Sequence, residues 1–170
     1  MILADPRDQE TPAPTRGHGA TDALSLRDAT ESDAAFVDGL TRLTMERYVR
    51  ATWPAESDVE RYFARNGFDR GATRLIRLGA RDVGRVSLSL SNEGIYLENL
   101  HVLPEYQGCG IGSAVVDRVV RGAWLLARSV RLQCLRVNPA LRLYLRHGFE
   151  QYDRTDTHHL LRLAVSPAAR

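Results

Sequence analysis

Three glycines follow an apolar stretch near the middle of the chain, at Gly108, Gly110 and Gly112. The residues before them, Ile95 to Val102, predict a strand, and the residues after them predict a helix. Glycine lets the backbone approach a ligand closely, and the first N–H groups of a helix have no partner within it. Those donors and the positive end of the helix dipole attract anions. The spacing therefore predicts a site for a phosphorylated ligand.

Composition narrows the class of protein. The 170 residues are 44% hydrophobic and 26% charged, which is typical of one globular domain, and the net charge of +2 predicts no nucleic-acid partner. All 23 basic residues are arginine, which excludes chemistry that needs a lysine. Cys109 and Cys134 have neither a disulfide nor a zinc spacing, so no metal site is expected. Without a long apolar run or a secretory pattern, we expect a cytoplasmic protein and no membrane partner.

The two ends of the chain differ from its middle. Residues 1–22 combine prolines, glycines and polar side chains with little that a core would bury, and residues 167–170 are similar. Both segments are predicted to be flexible tails. The intervening residues 23–166 are predicted to form a single domain.

Hydrophobic periodicity and turn residues predict the element order β α α β β β α β α β β. The first long helix begins at Glu31 and is stopped by Pro54. A turn at Arg81–Asp82 joins the second and third strands. In the last helix Asn138 and Pro139 supply the start, and Gly148 suits the position after the end. This order predicts a mixed sheet with helices on both faces.

Two motifs stand at strand-to-helix junctions. Residues 107–112 read Gln-Gly-Cys-Gly-Ile-Gly after the lead-in Leu-His-Val-Leu-Pro-Glu-Tyr, and residues 138–144 read Asn-Pro-Ala-Leu-Arg-Leu-Tyr before His-Gly-Phe. With their separation and the element order, they resemble the GNAT superfamily of acetyl-CoA-dependent N-acetyltransferases over about residues 24–165. The resemblance implies an α/β (mixed α+β) fold with a mostly antiparallel central sheet flanked by helices on both faces.

The resemblance also implies how acetyl-CoA is held as a co-substrate. Its pyrophosphate lies on backbone amides of residues 108–113, and its pantetheine arm pairs with the strand before the turn, which in this family bulges and splays from its neighbour. Asn138 either bonds the cofactor or caps its helix. The residues expected to bind the cofactor are Leu100, His101, Val102, Gln107, Gly108, Cys109, Gly110, Ile111, Gly112, Ser113 and Asn138.

Acetyl transfer needs a neutral amine, stabilisation of the thioester oxygen and protonation of the leaving thiolate. Tyr144 matches the catalytic tyrosine of the family, and its ordinary pKa lies above that of a thiol, so it is the candidate general acid. Packing of the Tyr144 ring is the alternative. A backbone N–H near Val102 is the implied oxyanion donor.

Glu98 is the candidate base. Strand alternation places it on one face with Leu100 and Val102, where apolar neighbours would raise its pKa. The alternative is that Glu98 only orients the acceptor. Some relatives carry a carboxylate five residues before the asparagine, but that position here is Gln133.

For the acceptor, Glu46, Tyr48 and Trp53 fall at the end of the first long helix, where the family shapes this site. Aromatic rings and an acid suit a cationic amine, although core packing explains both rings equally well. The backbone of His101 is expected to matter, and its ring is expected to have no functional role. The thiol of Cys109 is expected to have no covalent role. The resemblance leaves a homodimer open.

Three functions compete. The first is an N-acetyltransferase acting on a small-molecule amine or a peptide N-terminus. The second is a non-catalytic acetyl-CoA-binding regulatory module, which the presence of Tyr144 and Glu98 disfavours. A Rossmann-type nucleotide binder is the third, and it fails because no acidic residue ends a strand about twenty residues after the glycine turn.

Overall fold

The structure is a computed structural model that describes residues 24–165. The predicted tails, residues 1–22 and 167–170, lie outside that range. Within it, seven strands form one sheet: β1 Leu24–Asp28, β2 Thr73–Leu78, β3 Arg81–Ser91, β4 Gly94–Val102, β5 Val130–Leu135, β6 Glu150–Arg154 and β7 His158–Leu163. The four α-helices are α1 Ala34–Thr52, α2 Glu56–Arg65, α3 Ile111–Leu125 and α4 Leu141–Arg146. Two short 3-10 turns precede α1 and α3, at Glu31–Asp33 and Pro104–Tyr106.

The sheet has the order β1-β2-β3-β4-β5-β7-β6. Every neighbouring pair is antiparallel except β4 and β5, which run parallel. A parallel pair needs a long crossover, and α3 supplies it. The predicted fold class, a mostly antiparallel mixed sheet flanked by helices, is therefore confirmed.

Both faces of the sheet are covered. Leu75 and Ile76 are consecutive in β2 and fully buried, yet they belong to different apolar clusters, because successive side chains of a strand point to opposite faces. Leu75 packs with α1, whereas Ile76 belongs to the large core that includes α3. A third cluster joins α1 and α2 to Leu135 of β5. No helix within residues 24–165 has the length and apolarity needed to cross a bilayer.

The turn between β2 and β3 differs from the prediction. It lies at Gly79–Ala80, and Arg81 and Asp82 already belong to β3. Gly79 has φ +60°, a left-handed conformation that glycine adopts without a steric penalty. The glycine, and not the following polar pair, therefore decides where the chain reverses.

An irregularity in β4 shapes the site. Ser87 of β3 pairs with Asn99, while the next residue, Leu88, pairs with Leu97, so Glu98 is the extra residue of a β-bulge. Beyond the bulge β4 leaves β5, because the two strands pair only over residues 95–97 and 130–132. The second half of β4 therefore has no strand partner on that side, and a gap opens between the strands.

Candidate functional site

A cleft of about 510 Å³ lies where β4 separates from β5. Its walls come from α1, the unpaired half of β4, the glycine turn, the first turn of α3 and the segment leading into α4. The lining residues are Thr44, Met45, Arg47, Tyr48, Leu100, His101, Val102, Tyr106, Gln107, Gly108, Gly110, Gly112, Ser113, Asn138, Pro139, Ala140, Leu143, Tyr144 and Arg146.

The glycine turn presents bare backbone to this cleft. Gly108 and Gly110 have φ +75° and +85°, and a Cβ added at either would meet no atom within 4 Å. Packing therefore does not demand glycine here; the left-handed backbone does. Ala114 is the first residue whose N–H bonds back into α3, to Gly110. The six N–H groups of residues 108–113 donate to no described residue, so they remain available to a ligand.

Most of the predicted cofactor residues line the cleft, with two exceptions. The Ile111 side chain is buried in the core, and Cys109 does not line the cleft, so of these two residues only the backbone N–H groups remain available to a ligand. Gln107 donates from Nε2 to the Val102 carbonyl at 2.8 Å, which ties the turn to the end of β4. Asn138 accepts the Ala140 N–H on Oδ1 at 2.9 Å, which closes a turn before α4. The cap residue of α4 is Ala140, and no side chain caps this helix, so the capping role expected of Asn138 is not seen.

Tyr144 lies on α4 between two cavities. It lines the large cleft and also a smaller pocket on the other side of the gap. Its ring packs edge-on against Phe149 at 5.9 Å, whereas its hydroxyl bonds to no described residue. Burial raises the pKa of Tyr144 well above its ordinary value, which keeps the hydroxyl protonated at neutral pH. The ring is thus held by packing, and the residue lines both cavities.

Glu98 does not occupy the environment that alternation predicts. Because the bulge breaks the period of two, Leu97, Leu100 and Val102 all belong to one apolar cluster. Glu98 is exposed and lines the smaller pocket instead of the large cleft. Its carboxylate makes no ion pair with any residue in the range 24–165. The apolar surroundings expected for Glu98 are absent, but the carboxylate faces the same gap as Tyr144.

The ring of His101 takes part in a buried hydrogen bond that the sequence does not indicate. Arg85, fully buried beside it, donates from Nε to His101 Nδ1 at 3.2 Å and from the guanidinium ends to the Asn66 and Gly67 carbonyls. Burial and the charge of Arg85 lower the pKa of His101 to about 3. Burial also lowers the pKa of Arg85 to about 10, which leaves it charged at neutral pH. His101 is therefore neutral, and Nδ1 accepts.

The three predicted acceptor residues do not meet. Tyr48 lines the large cleft, and Trp53 lines a separate pocket with Tyr62 and His158. Glu46 lines none of these cavities, because its carboxylate accepts from Arg50 at 3.0 Å on the helix surface. The helix period separates these side chains, and the acidic group near the gap is Glu98.

Several lining residues escape the sequence prediction. Arg47 and Arg146 are exposed at the large cleft, and neither has a distinctive neighbourhood in the sequence. The sequence did contain a signal for Arg85. An arginine within the apolar strand Val-Gly-Arg-Val is predicted to be buried and therefore needs a hydrogen-bond partner. Residues 24–165 contain no cluster of His, Cys, Asp or Glu side chains suited to a metal ion.

Comparison with known families agrees with the geometry. The family model of the acetyltransferase (GNAT) domain matches residues 72–151, which include the glycine turn and the Asn138 to Phe149 segment. Residues 72–151 thus carry a GNAT acetyltransferase domain, and the fold of the described residues agrees with it. A search of curated protein sequences found no match.

Solved structures share the fold. The PaiA N-acetyltransferase of Thermoplasma acidophilum, in complex with coenzyme A, has a TM-score of 0.68 and 14% identity over 83% of this chain and 98% of its own. Arabidopsis thaliana Naa50 with the bisubstrate analogue CoA-Ac-MVNAL has a TM-score of 0.56 and 19% identity, covering 84% and 99%. The ribosomal-protein-S18-alanine N-acetyltransferase of Escherichia coli has a TM-score of 0.59 and 20% identity, over 86% of this chain and 96% of its own.

Proposed function

We propose that this acetyltransferase moves the acetyl group of acetyl-CoA to a primary amine, of a small molecule or a peptide N-terminus, by direct attack in a ternary complex. One observation carries the proposal. The glycine turn with its free N–H groups, the unpaired half of β4 and Tyr144 all line one cleft. Anion binding, strand-like pairing and proton donation are thereby combined in one place.

The cleft fits coenzyme A. The open glycine turn suits a pyrophosphate, and the exposed Arg47 and Arg146 suit further phosphate oxygens. The unpaired edge of β4 offers backbone partners to the amides of a pantetheine arm. The related PaiA structure contains coenzyme A and the Naa50 structure contains a CoA-based analogue, which supports the same ligand here.

Tyr144 is the general acid of this proposal. Acetyl-CoA supplies the acetyl group and a thiolate leaving group, and Tyr144 donates its proton to that sulfur. Burial keeps the hydroxyl protonated until then, because the pKa of the tyrosine is raised. A backbone N–H near Val102, at the unpaired end of β4, stabilises negative charge on the carbonyl oxygen.

Glu98 is the base that neutralises the amine, directly or through a water molecule. It is the acidic residue of the small pocket that Tyr144 also lines. Gln133 shares that pocket but cannot accept a proton from an ammonium. His101 is excluded as the base, because Arg85 occupies Nδ1 and the remaining ring nitrogen carries the hydrogen. The orienting role of Glu98 is the alternative within the same mechanism.

Two measurements test the function. Titration calorimetry with coenzyme A and acetyl-CoA is expected to show saturable binding, and a panel of amines is expected to accelerate thiol release from acetyl-CoA. Binding without any amine-dependent release would favour the non-catalytic regulatory module. Absence of binding by well-folded protein would remove the proposal altogether.

A further inference from the structure

Two further pockets lie next to the large cleft. The inner pocket, about 70 Å³, shares His101 and Tyr144 with the cleft. The outer pocket, about 220 Å³, shares Tyr62, Asn66 and His158 with the inner one. The shared lining residues place the outer pocket, the inner pocket and the cleft next to one another, and we call the two smaller pockets the passage. A second substrate lying in the passage would extend from α2 to Tyr144.

Charges divide along this passage. Glu98 lies at the inner pocket, and Arg65 lines the outer pocket; neither forms an ion pair with a described residue. The other two charged side chains of the outer pocket, Asp58 and Arg61, pair with each other at 2.5 Å. The buried Arg85 contributes to both ends, because it donates to the Asn66 carbonyl and also to His101 at the inner pocket. Among the lining side chains without an ion pair to a described residue, the inner pocket thus has a carboxylate and the outer pocket has an arginine.

Aromatic side chains form the wall between the two ends. The Trp53 ring lies 5.8 Å from Tyr62 and 6.0 Å from His158. Desolvation lowers the pKa of His158 and raises that of Tyr62 to about 12, so both rings are uncharged at neutral pH. An uncharged wall of this kind suits the apolar or planar middle of a ligand.

We infer that the acceptor is a small primary amine that carries an anionic group at its far end, with a carboxylate as the simplest case. The ammonium meets Glu98, the middle of the molecule lies along Trp53 and Tyr62, and Arg65 binds the anion. This inference rests on the proposed function. It excludes polycationic amines as preferred acceptors, because Arg65 would repel a second positive charge at the mouth.

The test uses amines in matched pairs that differ only in the anion: γ-aminobutyrate, ε-aminocaproate and para-aminomethylbenzoate, each with its carboxamide. With saturating acetyl-CoA, kcat/KM is expected to be roughly tenfold higher for each carboxylate, as for a charge-assisted hydrogen bond. Arg65→Gln is expected to abolish the preference, and Arg65→Glu to reverse it. Arg70→Gln is the control, because Arg70 is an exposed arginine that pairs with Glu31 outside the passage.

A binding measurement separates this inference from the catalytic proposal. The chain has two tryptophans, Trp53 in the passage and Trp124 exposed on α3, so Trp124→Phe leaves Trp53 as the fluorescent reporter. With coenzyme A present, para-aminomethylbenzoate is expected to change that fluorescence at roughly tenfold lower concentration than its carboxamide. If binding shows the preference but no amine is acetylated, only the catalytic proposal fails. Equal binding of acid and amide, or a preference that survives Arg65→Gln, would overturn the inference.

Discussion

Arg85 donates from Nε to Nδ1 of His101 over 3.2 Å, between residues that stand opposite each other on β3 and β4. A guanidinium only donates, so Nδ1 of the imidazole must accept. The neutral ring then carries its hydrogen on Nε2, beside the cavities that meet at Tyr144. A buried cation thus sets the tautomer of a histidine at the candidate site.

The tautomer of His101 is directly measurable. Long-range correlation of ring protons with ring nitrogens is expected to show a protonated Nε2 and an unprotonated Nδ1 from neutral pH down to about pH 5. The reason is that the pKa of His101 is lowered to about 3. A protonated Nδ1, or a cationic ring at pH 6, would contradict the assignment.

The same pair makes stability depend on pH. An unfolded histidine titrates near pH 6.5, whereas native His101 titrates near 3, so the unfolded state binds more protons between these values. The free energy of unfolding therefore falls as pH drops from 6.5, by about 2 kcal/mol at pH 5. Urea unfolding at pH 7 and pH 5 measures it. His101→Gln, which cannot titrate, is expected to lose less stability than the unmodified chain over that interval.

Removing the Tyr144 hydroxyl is expected to slow catalysis without weakening cofactor binding. Tyr144→Phe keeps the ring that packs on Phe149 but has no proton for the leaving thiolate. The expected loss in kcat is roughly a hundredfold, with the acetyl-CoA dissociation constant unchanged. Tyr152→Phe is the matched control, since Tyr152 is half-exposed on β6 and does not line the cleft. An undiminished rate in Tyr144→Phe would remove its role as the acid.

Negative charge at the glycine turn is expected to weaken coenzyme A binding. Gly110→Glu and Gly110→Gln impose the same strain at φ +85° and the same bulk, so their difference isolates the negative charge. Calorimetry is expected to show at least roughly tenfold weaker binding for the glutamate variant than for the glutamine variant.

Gly39→Glu controls for a glutamate placed elsewhere, because Gly39 is an exposed residue of α1 with open space around it. It is expected to bind coenzyme A like the unmodified chain. Equal affinities for the two Gly110 variants would show that the phosphates lie elsewhere.

Loss of the Glu98 carboxylate is expected to impair turnover in a pH-dependent way. Glu98→Gln cannot take the proton from the amine, so the rate is expected to fall near neutral pH and to recover as the amine deprotonates in more alkaline solution. Glu105→Gln changes an exposed glutamate of the Pro104–Tyr106 turn and serves as the control. A rate deficit that is constant with pH would favour the orienting role.

The sequence was most informative where local chemistry decides the structure. The glycine turn and the Asn138 to Phe149 segment predicted strand-to-helix junctions, and both the family and the fold class are confirmed. The sequence was less informative where one inserted residue breaks the alternation of a strand. The bulge at Glu98 overturned the face predicted for that side chain, since one inserted residue reverses strand alternation. Glu46 lies away from the cavities, and its i,i+4 spacing to Arg50 was a local signal for the ion pair that holds its carboxylate on the helix surface.

The sequence by itself determined the elements, the fold class and the motif that exposes six backbone donors, because glycine conformation and hydrophobic periodicity act within a few residues. Only the tertiary structure decided which side chains face the gap. Arg85 and His101 are sixteen residues apart in the chain, and Arg65 lies more than thirty residues before Glu98. Contacts of that kind depend on strand register and on the angle at which β4 leaves β5, which no local pattern encodes.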